Sequence, residues 1–114
     1  MRPMVMRVWY GKVPRDKADE FERYLVETGG VDIPATPGNR GAYFVRTERR
    51  TITVFGVFSV WESEAAIRAF AGPEPQRVRY YPRDAEFLLE MPMQADHYSI
   101  LDVEAAGGSR PTAS

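Results

Sequence analysis

His97 is the only histidine among the 114 residues of the chain, and an imidazole is the side chain that exchanges protons most readily near neutral pH. It lies in "DHYSILDVE" (96–104), a stretch that predicts a strand. Inside a cavity it could act as a general acid or base. Alternatively, it could bond to the backbone or lie at the rim of a sheet. Tyr98 points to the opposite face by strand alternation, so the two side chains cannot form one dyad.

Arg7 is a charged residue in the middle of an apolar strand, "MVMRVWYGKV" (4–13). Alternation places it on the same face as Val5 and Trp9. An isolated buried guanidinium is costly, so it needs a carboxylate partner or an anionic ligand. Three placements are open: an ion pair with Asp or Glu across a dimer, a contact with a substrate carboxylate or enolate, or a solvent-facing position at a sheet edge.

Aromatic side chains could form the walls of a cavity near these two groups. Trp9 and Trp61 share one face by alternation, and with Phe55 they suit a flat apolar ligand, although a dimer interface or a packed core would use them equally well. Tyr80 and Tyr81 lie in an irregular segment that could close the mouth of a cavity. A phenol there could donate a hydrogen bond to a developing oxyanion, but tyrosines are also common in surface loops.

Composition excludes several classes of function. A net charge of −1 leaves no electrostatic footprint for nucleic acid or an anionic membrane. The absence of cysteine removes thiolate catalysis, and a single histidine among scattered carboxylates predicts no metal site. The chain has no phosphate-binding glycine motif and no G-x-S-x-G.

No apolar run approaches the roughly 20 residues of a membrane span, and no signal-peptide pattern opens the chain, which predicts a cytoplasmic protein. Thirteen arginines against two lysines suggest a GC-rich bacterial genome.

Hydrophobic patterning predicts six elements in the order strand, helix, strand, strand, helix, strand, over residues 4–13, 14–30, 42–50, 52–60, 64–71 and 96–104. Gly29 and Gly30 are expected to end the first helix, and "VDIPATPGNRG" (31–41) is expected to form a loop. Ser63 is expected to cap the second helix, which Gly72 closes. Residues 73–94 are expected to be irregular apart from one helical turn within 84–89.

This order is that of a ferredoxin-like βαββαβ domain of the α+β class, with an antiparallel four-stranded sheet and both helices on one face. The third strand is apolar on both faces. We expect the face with Phe55, Val57 and Trp61 to be left uncovered by the helices, which would be a large exposed patch on a monomer. A second copy packed against it would form a homodimeric α/β barrel. The domain is predicted to span residues 1–104, with a disordered tail at 105–114.

The chain resembles the antibiotic-biosynthesis-monooxygenase-like proteins of the dimeric α/β-barrel superfamily over roughly residues 4–103. The matching pieces are "RVWYGKVPRDKADEFERYL", "TPGNRGAYFVRT", "FSVWESEAAIRAFAG" and "HYSILDV". The resemblance implies one of three activities: cofactor-independent oxidation of aromatic polyketide-type substrates, haem degradation, or isomerisation and cyclisation by acid–base chemistry. Many relatives have no assigned activity.

The haem-degrading members use an Asn on the first strand, a Trp at the end of the third and a His after the second helix. Trp61 matches the Trp, but the Asn position falls near Val5, and "PEPQRVRYYPRDAEF" contains no histidine. The resemblance therefore argues against haem degradation, unless Tyr80 or Tyr81 replaces the iron ligand.

Two main hypotheses follow. In the first, the protein is a small homodimeric monooxygenase without metal or flavin that acts on an aromatic or enolisable molecule. His97 would remove a proton, Arg7 and Tyr81 would stabilise the anion, and the aromatic side chains named above would form the walls. In the second, the same cavity only binds a small molecule. A third hypothesis is an isomerase or cyclase that uses the same base without O₂.

Overall fold

The computed structural model describes residues 4–104 and 106–108. A four-stranded antiparallel sheet has the order β2-β3-β1-β4, and the helices pack on one face of it. The α+β ferredoxin-like fold is therefore confirmed. The predicted tail at 105–114 lies outside the described residues apart from a short 3₁₀ segment at Ala106–Gly108. The elements are β1 Val5–Pro14, a 3₁₀ turn Arg15–Lys17, α1 Ala18–Glu27, α2 Gly29–Ala35, β2 Asn39–Glu48, β3 Ile52–Trp61, α3 Glu64–Ala71, α4 Asp84–Phe87 and β4 Asp96–Ser99.

The two central strands, β1 and β3, pair along their whole length, from Val5 opposite Trp61 to Pro14 opposite Ile52. Both are rich in β-branched and aromatic residues, which favour a pleated, half-buried surface. The last strand is shorter than predicted and ends at Ser99. Because β4 runs antiparallel to the start of β1, its pairing ends where β1 begins, with Ser99 opposite Val5.

The loop predicted over residues 31–41 is wrong in its first half, because α2 occupies Gly29–Ala35. The backbone does break at Thr28, whose hydroxyl donates to the carbonyl of Tyr24 at 2.8 Å, but a new helical turn starts immediately. Burial of Ile33 favours this turn. Pro34 is the second-last residue of the short helix α2. It is tolerated there because its missing N–H removes one hydrogen bond from a helix that is about to end.

The prediction for the faces of the sheet is also wrong. Phe55, Val57 and Trp61 are buried beneath the helices, and they do not form the uncovered face. Alternation identifies which residues share a face but not which face the helices cover. The rings of Phe21 on α1 and Phe55 meet edge to face with centroids 4.9 Å apart, and Phe55 and Trp61 of β3 belong to the core.

The open face of the sheet carries the other set of residues from the same strands. We define the open face by its apolar members, which are Met6, Val8, Tyr10, Tyr43, Val45, Val54, Phe58, Val60 and Tyr98. Tyr43 is 73% exposed on this face, whereas Val8 is buried. Gly56 lies among them beneath Tyr10 and Phe58, whose rings meet edge to face at 5.7 Å.

The helix signals in the second half of the chain are confirmed. Ser63 caps α3, because its hydroxyl accepts a hydrogen bond from the Ala66 N–H at 3.1 Å. Gly72 ends the same helix with a φ of 101°, which favours glycine. The predicted turn within 84–89 is present as α4. None of the described helices is long and apolar enough to span a membrane.

Candidate active site

A pocket lies between the covered face of the sheet and the helices. The strands contribute Arg7, Trp9 and Val57, α1 and α2 form one side, and residues 78–81 with Asp84 form another. The volume within it that the centre of a water-sized molecule can reach is about 50 Å³. Most of its lining is apolar or aromatic, as is usual for small-molecule sites. The fold therefore holds a cavity beside the predicted arginine.

Arg7 is 5% exposed, so the solvent-facing placement considered above is wrong. One of its terminal nitrogens, Nη2, donates to the backbone carbonyl of Arg77 at 3.0 Å, and its Nε is buried without a partner. Among the described residues no carboxylate forms an ion pair with it. Burial lowers the pKa of Arg7, and the more distant carboxylate of Glu64 acts in the opposite direction. The pocket thus contains a desolvated positive charge without a close counter-ion.

Trp9 and Tyr80 form one aromatic wall. The indole of Trp9 lies over Gly11. A Cβ atom at residue 11 would overlap the indole ring, so the indole can occupy this position only because residue 11 is glycine. The indole Nε1 donates to the hydroxyl of Tyr80 at 3.3 Å, and that hydroxyl donates to the Pro92 carbonyl at 2.6 Å. Burial raises the pKa of Tyr80, which keeps the phenol neutral.

Tyr81 lies at the pocket but directs its hydroxyl toward α2, where it donates to Asp32 Oδ2 at 2.7 Å. Burial and this hydrogen bond both raise the pKa of Tyr81. Arg79 stacks over the Tyr81 ring at 5.0 Å and over the ring of Phe70 at 5.1 Å. Its Nη2 atom is 3.6 Å from the same carboxylate oxygen of Asp32. These contacts fasten segment 78–81 to α2 beside the pocket.

Asp84 is a pocket residue that sequence reasoning missed. It is 7% exposed, and its Oδ2 accepts a hydrogen bond from the backbone N–H of Tyr81 at 2.7 Å. Burial raises the pKa of this carboxyl. In the sequence, Asp84 looks like an ordinary residue at the start of a helical turn. No local signal distinguishes it, since its burial depends on α1 and the strands, which are distant in the chain.

His97 does not line the pocket. It lies on β4 directly across from Arg7, and its Nδ1 is 2.7 Å from Glu64 Oε2 on α3. The side chain is 4% exposed, and its Nε2 is buried without a partner. The structure therefore brings His97 beside Arg7 but on the side of β1 away from the pocket.

Trp61 and Phe55 are also absent from the pocket lining. Trp61 is fully buried, and its Nε1 donates to Ser59 Oγ at 2.9 Å. Phe55 packs on Phe21 and lies 5.4 Å beneath the guanidinium of Arg46. Both side chains contribute to the core next to the pocket. Of the seven residues predicted for the site, four line the pocket: Arg7, Trp9, Tyr80 and Tyr81.

Metal ligation has little support from the arrangement of acidic and histidine side chains. Within the part of the chain that the structure describes, no three of them come together as a group that could hold an ion. The pocket has one lining carboxylate, Asp84, and no lining histidine. The prediction of a site without metal or cofactor stays a prediction.

The fold is thus a split βαβ sheet whose covered face holds a pocket lined by aromatic side chains and the buried Arg7. The sequence pattern of a family described as "Antibiotic biosynthesis monooxygenase" matches residues 4–77, and the chain belongs to this family. The match ends before Tyr80, Tyr81, Asp84 and His97. The family assignment therefore does not assign a role to any of these four.

Comparison with solved structures supports the fold. A crystal structure of a candidate antibiotic biosynthesis monooxygenase from Bacillus cereus superposes with a TM-score of 0.64 at 17% identity, over 91% of this chain and 99% of that one. No curated protein matches the chain. At this identity the likeness shows a shared fold, and the chemistry must be argued from the pocket.

Proposed function

We propose that this protein is a homodimeric, cofactor-independent monooxygenase that oxidises an aromatic or enolisable small molecule in the pocket. The observation that carries the proposal is the buried guanidinium of Arg7, which has no ion-pair partner among the described residues and lines an aromatic cavity. A cation in this position favours a ligand that is anionic or becomes anionic during reaction. Membership of the monooxygenase family supports O₂ as the second reactant.

The pocket offers a planar substrate two kinds of contact. Trp9 and Phe70 present aromatic surface, and Arg7 lies 5.9 Å from the centre of the Phe70 ring. A ring that lies against Phe70 could therefore place an attached oxygen near Arg7. Because the site is desolvated, a charge–charge contact there is stronger than in water. We assign Tyr81, whose hydroxyl is already committed to Asp32, to holding the pocket wall in place of the predicted role of oxyanion donor.

The proposed reaction converts a methylene group flanked by aromatic rings or a carbonyl into a ketone. Loss of a proton gives a carbanion, whose negative charge is delocalised onto the enolate oxygen beside Arg7. This anion reduces O₂ and forms a carbon-bound hydroperoxide after taking up a proton. Loss of water from the hydroperoxide gives the ketone. In the balanced sum, CH₂ and O₂ yield C=O and H₂O, so one oxygen atom enters the product.

The open face supports a dimer in this proposal. Tyr10, Tyr43 and Tyr98 are at least half exposed there and are surrounded by aliphatic side chains of the same sheet. A contiguous apolar surface of this kind on a small protein indicates an interaction site. A second copy of the chain presents an equally apolar face and would bury both. The cysteine-free composition supports the proposed cytoplasmic location.

The second candidate is a dimer that binds a small molecule without transforming it. It is favoured by one observation: His97, the base expected from the sequence, is held by Glu64 outside the pocket. An isomerase or cyclase would need a base as well, but would not consume O₂. These three candidates differ in what happens to O₂ and to the ligand after binding.

An oxygen electrode tests the proposal directly. Chelator-treated protein is mixed with an anthrone-type three-ring ketone, and O₂ uptake is compared with product formation. We expect uptake of one O₂ per substrate, and a reduction of kcat/KM by about 10- to 100-fold in Arg7→Met, since a hydrogen bond to a charged group is worth about 1.5–3 kcal/mol.

The matched control for this experiment is Arg68→Met, which removes an exposed arginine on α3 away from the pocket. Its kcat/KM should equal that of the wild-type protein. Tight binding of the ketone without O₂ uptake would support the non-catalytic candidate. Conversion of the ketone without O₂ uptake would support the isomerase.

A further inference from the structure

We propose that Asp84 is the general base of the pocket and performs the proton abstraction that the sequence alone assigns to His97. The inference rests on the proposed function insofar as the pocket must hold a molecule with an acidic C–H bond. It does not depend on O₂ being the second reactant. Asp84, Arg7, Trp9 and Tyr80 line the same cavity, so a single ligand could contact the carboxylate and the guanidinium together.

The hydrogen bonding of Asp84 leaves one oxygen available. Oδ2 accepts from the Tyr81 N–H at 2.7 Å, which fixes the orientation of the carboxylate. Its second oxygen, Oδ1, receives no hydrogen bond from any described residue, and no described lysine or arginine forms an ion pair with the group. An oriented carboxylate with a free lone pair is an arrangement suited to general-base catalysis.

Other acidic groups near the pocket are already occupied. Asp32 accepts from the Tyr81 hydroxyl and lies near Arg79, and Glu64 is held by His97. Neither of them lines the pocket. Among the described residues, Asp84 is therefore the carboxylate that a bound ligand could reach.

Proton transfer to Asp84 conserves the charge of the pocket. The C–H bond breaks, its proton forms an O–H bond with Oδ1, and the electron pair stays on the substrate as an enolate beside Arg7. Before transfer the pocket holds a carboxylate and a guanidinium; afterwards it holds a carboxylic acid, an enolate and the same guanidinium. Burial raises the pKa of Asp84, which strengthens it as a base. The other titratable groups facing the cavity are the phenols of Tyr80 and Tyr81 and the guanidinium groups of Arg7 and Arg79.

The test measures proton abstraction in the absence of O₂. An anthrone-type ketone is incubated anaerobically with the protein in D₂O, and exchange of its methylene protons is followed by NMR. We expect the wild-type protein to catalyse exchange and Asp84→Asn to lose it by at least about 100-fold, the lower end of the usual contribution of a general base. The exchange rate of the wild type should rise with pH, with a midpoint above the ordinary carboxyl pKa, and Asp84→Asn should lack this rise.

Asp84→Asn is a suitable variant because an amide oxygen can still accept the Tyr81 N–H and keep segment 81–84 in place. The dissociation constant of the ketone should therefore stay within about twofold of the wild-type value, since no contact to the guanidinium is lost. Glu86→Gln on the same short helix is the matched control, because its carboxylate is exposed and faces Arg83. Asp84→Glu should retain part of the exchange, which a purely structural role would not predict.

Each outcome has a distinct meaning. Wild-type exchange at the background rate, or undiminished exchange in Asp84→Asn, overturns the assignment of Asp84 even if O₂ uptake is observed. Exchange that depends on Asp84 but is not accompanied by O₂ uptake supports Asp84 and overturns the monooxygenase. Loss of exchange together with loss of ketone binding or of the folded state in Asp84→Asn, with no rescue in Asp84→Glu, assigns the residue to structure and also overturns the proposal.

Discussion

The two faces of the sheet have similar apolar compositions but different surroundings. On the covered face, Phe55 and Trp61 are buried by helices of the same chain. On the open face, Tyr10 and Phe58 contact each other across β1 and β3, and Tyr10 is half exposed. The first face is completed by the monomer and contains the pocket. In the proposal above, chemistry belongs to the first face and assembly to the second.

The largest expected effect is loss of stability on the covered face. Trp61→Ala should lower the free energy of unfolding by about 3–5 kcal/mol, because it empties a fully buried site. The measurement is urea unfolding at two protein concentrations. The loss at Trp61 should be the same at both.

Tyr43→Ala on the open face is the comparison for this experiment. In a dimer its effect should shrink as the protein is diluted, since dimer contacts stabilise by mass action. If Trp61→Ala and Tyr43→Ala lowered the free energy of unfolding equally at both protein concentrations, the open face would not be a dimer interface.

An intermediate effect is expected on assembly. Tyr10→Asp introduces a charge at the centre of the open face and should weaken the dimer by about 2 kcal/mol or more, which is roughly a 30-fold change in its dissociation constant. Light scattering should show the mass of two chains for the wild type and of one chain for the variant. Tyr43→Asp, at a more exposed site, should act in the same direction without risk to the fold.

Val31→Asp is the control for the assembly experiment, because Val31 is exposed on α2, on the helix side of the sheet. It should leave the dimer intact. A wild-type protein that is monomeric, or a Tyr10→Asp variant that stays dimeric, would refute the use of the open face for pairing.

The smallest expected effect is a change of the free energy of unfolding with pH, caused by the buried carboxyl of Asp84. Burial raises the pKa of Asp84 in the folded protein above its ordinary value of 3.8, so the folded state binds this proton more tightly than the unfolded state does. The stability from the protonated group is present below the ordinary pKa and is lost as the pH rises through the raised pKa. Asp84→Asn does not titrate, so its stability relative to the wild type should increase from pH 3 to pH 7.

Unfolding of both proteins by urea at several pH values measures this difference. Glu86→Gln again serves as the control, and its difference from the wild type should not show the same rise. A difference between Asp84→Asn and the wild type that is constant across the range would mean that Asp84 is not desolvated.

Local patterns in the sequence were sufficient for most of the fold. The order of the elements, the Ser63 cap and the shared face of Arg7 and Trp9 follow from periodicity and capping, which act over a few residues. The turn at α2 was missed because burial of Ile33 overrides the glycines before it. Of the residues predicted for the site, Arg7, Trp9, Tyr80 and Tyr81 meet at the pocket, whereas its lining residue Asp84 was not among them; that any of them acts on a ligand stays a prediction.

The sequence by itself determined which side chains lie together on one face of each strand, because the alternation of a strand is a property of its own backbone. Only the tertiary structure decided which of the two faces the helices cover, since that depends on packing between segments far apart in the chain. For the same reason, it placed His97 next to Glu64 and away from the pocket, and it brought Asp84 from an irregular segment into the cavity with Arg7.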